Sequence, residues 1–164
     1  MAMRDECVAA NERYAASFNL SGLPMPPGKR LAVVVCMDAR LMPDRFLGLD
    51  TGDAHVIRNA GGIVTDDALR SLIISHRLLG TNEFFVINHT DCGMLTFEDD
   101  QLRQKLKDET GADATGMQFY AFKNLEQNVQ AQVQKIKSSP FLPDDIPVHG
   151  FIYQVEDGRL RQVV

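Results

Sequence analysis

One continuous apolar run, Leu31-Ala-Val-Val-Val-Cys36, limits what this chain can fold into more than any other segment. A short run rich in β-branched residues is typical of a strand buried on both faces of a parallel sheet. A second such run covers residues 83–88, and residues 65–79 between the two repeat apolar side chains with a helical period and end at Gly80. Parallel strands need a crossover connection, which is usually a helix. The sequence therefore predicts an α/β fold built from βαβ units.

Other periodic segments extend this architecture. The segments are strands at residues 54–58, 148–155 and 159–164, and helices from a Thr96 cap to about residue 109 and over residues 118–138. The last two strands are joined by a tight turn at Asp157-Gly158, which makes the final strand antiparallel to the one before it. We predict a single domain with a mostly parallel central sheet flanked by helices and with a C-terminal antiparallel edge strand.

The N-terminal segment is predicted to stand apart from this domain. Residues 3–18 repeat apolar side chains with a helical period, but Ser21-Gly-Leu-Pro-Met-Pro-Pro-Gly28 separates them from the first strand. We therefore divide the chain into a helical arm with its Pro/Gly tether, residues 1–28, and a main α/β domain, residues 29–164. Cys7 lies on the apolar stripe of the arm and is interpreted as a core residue, as is His76 in the crossover helix.

Composition and charge exclude several classes of function. The 164 residues suffice for one domain, and 17 basic against 22 acidic residues, without a Lys/Arg cluster, give no surface for nucleic acid. No apolar run approaches the roughly 20 residues that span a bilayer, and residues 1–6 are charged where a secretory signal is apolar. We expect a cytoplasmic protein with no membrane partner. Three cysteines are too few for a disulfide framework, which leaves metal binding, catalysis or burial.

Chemically reactive residues follow three of the predicted strands. The segments are Cys36-Met-Asp-Ala-Arg40, Arg58-Asn-Ala-Gly-Gly62 and His89-Thr-Asp-Cys-Gly93. In open α/β sheets, ligands bind at the carboxyl ends of the strands. We therefore expect the three segments to meet at one edge of the sheet.

Cys36, His89 and Cys92 form a candidate metal site within these segments. His89 and Cys92 are close enough in sequence for one turn to present both to a metal, and Cys36 supplies a third donor. Two thiolates and one imidazole favour zinc, and three protein ligands leave the open position of a catalytic site. One Zn²⁺ per chain is predicted. Two other interpretations remain: plain burial of the cysteines, or a metal-free hydrolase with Cys36 as nucleophile and His89 as base.

Asp38 and Arg40 are the candidate catalytic residues. Zinc with two thiolates has no net charge, so it acidifies a bound water less than zinc held by neutral histidines. A carboxylate beside that water can orient it, and an arginine can hold the carboxylate through two hydrogen bonds. If Arg40 releases Asp38, the carboxylate can instead bind the zinc and close the fourth position. An ordinary surface ion pair is the alternative interpretation.

The three segments, in this order and at similar separations, resemble the motif set of the β-class carbonic anhydrases over about residues 31–97. The chain length and the details of these motifs resemble those of the small-subunit branch of this family, which includes carbonyl sulfide hydrolases. The resemblance implies that Cys36, His89 and Cys92 bind zinc and that Asp38 and Arg40 form the catalytic dyad.

The resemblance also has implications for the substrate and for assembly. It places in the wall of the substrate site the residues Arg58, Asn59, Ala60, Gly61 and Gly93. It further implies a homodimer or a dimer of dimers in which each arm lies on the neighbouring subunit. Many members have a glutamine donor shortly before the first ligand strand, but residues 24–30 contain none.

The leading hypothesis is zinc-dependent hydration of CO₂ to bicarbonate by a zinc-bound hydroxide. Carbonyl sulfide has the same linear shape and an electrophilic carbon, so its hydrolysis to CO₂ and H₂S is the alternative. A metal-free cysteine hydrolase and a non-catalytic zinc-binding module are more remote alternatives. Zinc content and turnover of the two gases distinguish these functions.

Overall fold

Five strands form the sheet at the centre of the structure, a computed structural model that describes residues 2–164. The strands are β1 (Leu31–Cys36), β2 (Ala54–Asn59), β3 (Glu83–His89), β4 (Val148–Tyr153) and β5 (Leu160–Gln162). Their order across the sheet is β2-β1-β3-β4-β5; the first four are parallel and β5 is antiparallel to β4. The predicted α/β class, with its C-terminal antiparallel edge strand, is confirmed.

The helices are α1 (Met3–Ala16), α2 (Pro43–Leu47), α3 (Asp66–Leu79), α4 (Asp99–Thr110) and α5 (Leu125–Lys137). Strand β1 is buried on both faces, which explains its uninterrupted apolar run. Ala32 and Val34 belong to a hydrophobic cluster shared with α3 and α5, whereas Val33 and Val35 belong to a second cluster that packs against α2. Apolar side chains therefore pack against both faces of the sheet around β1.

The crossover helix α3 has the boundaries that its sequence predicts. The Thr65 hydroxyl accepts a hydrogen bond from the backbone N–H of Ala68, and two aspartates occupy the first turn. Gly80 ends the helix with a φ of 74°, a left-handed conformation that glycine adopts without a steric penalty. Local capping signals are therefore sufficient to define this element.

Helix α5 begins at Leu125, so its predicted start at Gln118 is wrong. The side chain of Asp99 accepts hydrogen bonds from the backbone N–H groups of Phe119, Tyr120 and Ala121, and these groups hold an irregular segment. Burial alone would raise the pKa of Asp99, but the three N–H groups outweigh it and the pKa is lowered. This interaction with a distant residue overrides the helical pattern.

The predicted Thr96 cap of α4 is also wrong. The helix begins at Asp99 with Glu98 as its N-cap, and Glu98 and Gln101 form a reciprocal capping box. The Thr96 hydroxyl instead donates to the carbonyl of Gly93 at 2.7 Å. The predicted helix therefore exists but begins two residues later than its predicted cap implies.

Helix α1 of the N-terminal arm buries none of its side chains within the described residues. Cys7 is exposed, so its interpretation as a core residue is wrong. His76 is only half-buried, and its Nδ1 lies 2.6 Å from the carbonyl oxygen of Thr81. Within residues 2–164, none of the helices has the length and apolarity required to cross a bilayer.

Candidate metal centre

The structure brings Cys36, His89 and Cys92 together at one edge of the sheet. Cys36 is the last residue of β1, His89 is the last residue of the adjacent parallel strand β3, and Cys92 lies in the turn that follows. One donor atom from each residue lies within 4.8 Å of the other two, and all three residues are buried. The strand-end argument from the sequence therefore predicted which residues meet.

His89 has one ring nitrogen free to bind a metal. Its Nδ1 lies 2.8 Å from the carbonyl oxygen of Thr90, which only accepts, so Nδ1 carries the proton. The other nitrogen, Nε2, is buried and has no hydrogen-bond partner among the described residues. A buried polar atom without a partner is costly, and a metal ion would satisfy it. Together with two thiols, this donor set fits zinc.

The two cysteines share one proton more readily than they lose both. The neighbouring Cys92 thiol stabilises a thiolate at Cys36 and lowers the pKa of Cys36 to about 4, despite burial. The same contact raises the pKa of Cys92. Burial lowers the pKa of His89, but the nearby Cys36 sulfur and its charge outweigh it and raise that pKa. Because zinc binds thiolates, its binding displaces the proton that Cys92 holds.

Asp38 and Arg40 form a bidentate pair beside this cluster. Arg40 Nε donates to Asp38 Oδ1 at 3.0 Å, and Arg40 Nη2 donates to Asp38 Oδ2 at 2.7 Å. Asp38 Oδ2 also lies 3.8 Å from Nε2 of His89. The hydrogen bonds from Arg40 hold the pKa of Asp38 well below its usual range, and the pKa of Arg40 is raised in turn. The carboxylate therefore stays ionised next to the metal cluster.

Arg40 has a second acidic partner that sequence reasoning missed. Its Nη1 donates to Asp91 Oδ2 at 2.7 Å, and its Nη2 donates to the carbonyl oxygen of Asp91 at 3.0 Å. Asp91 lies between His89 and Cys92 and has a φ of 52°. The sequence signal for this contact is an acidic residue between two candidate metal ligands. The turn that carries it lies opposite the turn that carries Arg40.

Arg58 and Asn59 use their polar atoms to hold the main chain of the site. Arg58 Nε and Nη2 donate to the carbonyl oxygen of Cys36, and Nη2 also donates to that of Asp38 at 2.7 Å. The side chain of Asn59 accepts from the N–H of Ile63 and donates to its carbonyl oxygen. Both residues fix the turns around the cluster, and their contact with substrate stays a prediction.

The remaining predicted wall residues lie in short turns at the same edge. Gly61 and Gly62 have φ values of 81° and 62°, and a Cβ at Gly62 would approach the backbone nitrogen of Cys36 to 2.9 Å. Only glycine fits this position without moving the ligand strand. Ala60 and Gly93 are both exposed, and the space beside Gly93 is open. Their substrate-binding role also stays a prediction.

A chain of side-chain amides, which sequence reasoning also missed, connects the site to α5. Asn88 donates to the carbonyl oxygen of Gly61 at 2.9 Å and accepts from Asn128 at 2.7 Å. Gln132 donates to Asn128 and accepts from the backbone N–H of Val64 at 2.8 Å. Asn88 is fully buried and precedes His89 at the end of β3. This amide chain fixes the glycine turn and the ligand strand relative to each other.

Comparisons with known proteins give consistent results. A family model described as carbonic anhydrase matches residues 31–160. β-Carbonic anhydrase 1 of Mycobacterium tuberculosis (strain H37Rv) is 45% identical over 163 residues, which cover 99% of each chain. A carbon disulfide hydrolase of Acidithiobacillus thiooxidans is 36% identical over 157 residues, which cover 84% of this chain and 78% of that protein.

Solved structures show the same likeness in three dimensions. A carbonic anhydrase from Streptococcus mutans superposes with a TM-score of 0.95 at 43% identity, covering 100% of this chain and 99% of that one. The apo form of a carbon disulfide hydrolase superposes with a TM-score of 0.73 at 30% identity, covering 96% and 90%. The first of these superpositions includes the whole sheet and all three segments of the candidate site.

Proposed function

The chain belongs to the β-carbonic anhydrase family, and from that premise we propose that it hydrates CO₂ to bicarbonate at a zinc ion held by Cys36, His89 and Cys92. The observation that carries the proposal is the cluster itself, in which three buried donor atoms lie within 4.8 Å of one another. The ionised Asp38–Arg40 pair beside the cluster supports a catalytic site rather than a structural one.

Each residue of the site has a distinct part in this mechanism. When bound, zinc would lower the pKa of a water molecule at the site, which makes hydroxide available nearer to neutral pH. Cys36, His89 and Cys92 would hold the ion through two thiolates and one imidazole. Asp38 accepts a hydrogen bond from the nucleophile and orients it toward the substrate carbon. Arg40 keeps Asp38 in place through its two hydrogen bonds.

Carbonyl sulfide hydrolysis is the second candidate function. It is favoured by the relatives named carbon disulfide hydrolase, which share at least 30% identity with this chain. CO₂, carbonyl sulfide and carbon disulfide are all linear molecules with an electrophilic central carbon. The same three ligands and the same Asp38 therefore suit all of them, and the choice depends on contacts with a single oxygen or sulfur atom.

A side-by-side assay tests the proposed function. On one zinc-loaded preparation, we expect kcat/KM for CO₂ hydration to exceed that for carbonyl sulfide loss by more than about tenfold, about 1.4 kcal/mol in transition-state stabilisation. The same protein after zinc removal is the control and should turn over neither gas. Faster loss of carbonyl sulfide would select the second candidate. Turnover by the zinc-free protein would instead support a cysteine hydrolase.

We also infer that the protein self-associates as a homodimer or a dimer of dimers. The arm exposes the apolar side chains Met3, Val8, Tyr14 and Phe18. Because α1 buries none of its side chains within the chain, these groups gain stabilisation only against another surface. A second copy fits this role, since each subunit of a symmetric pair can place its arm on the other.

Deleting residues 1–20 should therefore weaken the assembly. We expect a lower mass in solution by light scattering and a Tm lowered by about 5 °C or more, since each lost kcal/mol shifts Tm by about 2–4 °C at this size. Phe18→Ser should act in the same direction, whereas Glu12→Gln, a polar change on the preceding helix α1, should not. An unchanged mass and Tm after deletion would contradict the inferred arm contact.

A cytoplasmic location is part of this proposal. The cluster needs two free thiols, and Cys36 and Cys92 are both unpaired in the structure. Reducing compartments keep thiols in that state, whereas oxidising ones favour disulfides.

A further inference from the structure

We propose that Asp91 is a positioning residue of this site: by holding the guanidinium of Arg40, it keeps Asp38 on the arginine and away from the fourth metal position. The inference rests on the proposed function in that it assigns Asp91 to the same site. It adds a residue that supports the catalytic pair without contacting substrate.

The guanidinium of Arg40 lies between two acidic residues. Nε and Nη2 donate to the carboxylate of Asp38, while Nη1 donates to the carboxylate of Asp91 at 2.7 Å. Nη2 also donates to the carbonyl oxygen of Asp91. Every nitrogen of the guanidinium therefore has an acceptor, and its orientation is fixed from two sides.

The backbone of Asp91 is shaped for this contact. Its φ of 52° places it in the left-handed region, which aspartate and asparagine enter more readily than most residues. In this conformation the residue presents both its carboxylate and its carbonyl oxygen to Arg40. Asp91 thus connects the turn after β3, which carries two metal ligands, to the turn after β1, which carries the catalytic pair.

The position of Asp38 explains why the contact between Asp91 and Arg40 affects the metal site. Its Oδ2 lies only 3.8 Å from Nε2 of His89, the atom that faces the metal position. A short movement would bring the carboxylate onto the ion, so Arg40 and the metal compete for Asp38. Arg40 is 48% exposed and would lose side-chain entropy to hold Asp38 alone. A second anchor reduces the number of conformations in which Arg40 releases Asp38.

The Asp91→Asn variant tests the proposal, because asparagine keeps the shape and the left-handed backbone but removes the charge. Exposed ion pairs shift equilibria by at most about fivefold. On zinc-loaded protein, we expect kcat for CO₂ and the affinity for thiocyanate, a small anion that needs the open position, to fall measurably and by one common factor of at most about five. KM for CO₂ and the zinc content should stay unchanged.

Two further variants separate positioning from a merely structural role. In the Asp38→Ala background no carboxylate can reach the metal, so adding Asp91→Asn should leave the thiocyanate affinity unchanged. Asp67→Asn is the matched control, since Asp67 makes a 2.7 Å pair with Arg70 and is as exposed as Asp91, at 75% against 73%. It should alter neither kcat nor thiocyanate affinity.

The proposal is overturned if Asp91→Asn leaves thiocyanate affinity unchanged, if its effect persists in the Asp38→Ala background, or if it acts only by lowering zinc content. Failure of the proposed function gives a different result. A zinc-loaded wild-type protein that does not hydrate CO₂ would refute that function, and the thiocyanate measurements would still decide the role of Asp91.

Discussion

Cys36→Ser, His89→Ala and Cys92→Ser should each remove most of the zinc and with it the activity. Loss of an outer partner of a metal ligand already costs about 10–100-fold in affinity or activity, so loss of a ligand should exceed about 100-fold. The reason is that the site has only three donors in the described residues, and Nε2 of His89 has no other partner there. Zinc analysis of the purified variants and their CO₂ hydration rates measure the effect.

The matched control for these variants is Cys7→Ser. Cys7 is the third cysteine of the chain and lies exposed on α1, outside the cluster. Its replacement should leave zinc content and rate at wild-type values. Full zinc retention in Cys36→Ser, His89→Ala or Cys92→Ser would remove that residue from the set of ligands.

Arg40→Ala should nearly abolish turnover while the zinc content stays near one ion per chain. Without the guanidinium, Asp38 keeps only the hydrogen bond from the backbone N–H of residue 40 and can move from its position 3.8 Å from His89 Nε2 onto the metal. Groups that orient or deprotonate a nucleophile contribute about 10²–10⁴-fold, and we expect a loss of kcat in that range. Zinc-edge X-ray absorption should show a changed fourth ligand alongside the reduced rate.

The double variant Asp38→Ala with Arg40→Ala distinguishes blocking from misplacement. It should reopen the fourth position, so small anions bind again, but the nucleophile lacks its hydrogen-bond acceptor and turnover stays slow. Arg70→Ala is the control, because Arg70 pairs with Asp67 on exposed α3 surface and not with the site. A wild-type rate in Arg40→Ala, or an unchanged fourth ligand, would refute the role assigned to Asp38 and Arg40.

The sheet could be predicted because its strongest signals are local. β1 and β3 are buried apolar runs with clear ends, and α3 carries its own cap at Thr65 and its own stop at Gly80. The meeting of Cys36 and His89 then follows from geometry, since adjacent parallel strands end at the same edge. Three sequence segments were therefore enough to indicate the metal cluster.

The segments that could not be predicted depend on distant partners. The carboxylate of Asp99 holds residues 119–121 out of a helix whose apolar period continues through them. The spacing of apolar residues in α1 predicts a core position for Cys7, but α1 buries none of its side chains within the described residues. Periodicity shows that a face is apolar and does not show what packs against it.

Two residues of the site escaped sequence reasoning for a related reason. Asp91 and Asn88 are polar residues next to His89 or Cys92, and each acts through a partner far away in the chain, at Arg40 and Asn128 respectively. Spacing rules identify donors that converge on one metal, as with Cys36, but they do not identify side chains that hold those donors in place.

The amide chain from Asn88 to Gln132 couples the end of the ligand strand to helix α5. It joins the end of β3, the glycine turn and helix α5 through buried and partly buried hydrogen bonds. Segments connected in this way open as one cooperative unit. We therefore expect the end of β3, which carries His89, to open together with α5. Release of His89 from a bound metal should accordingly become slower as this unit becomes more stable.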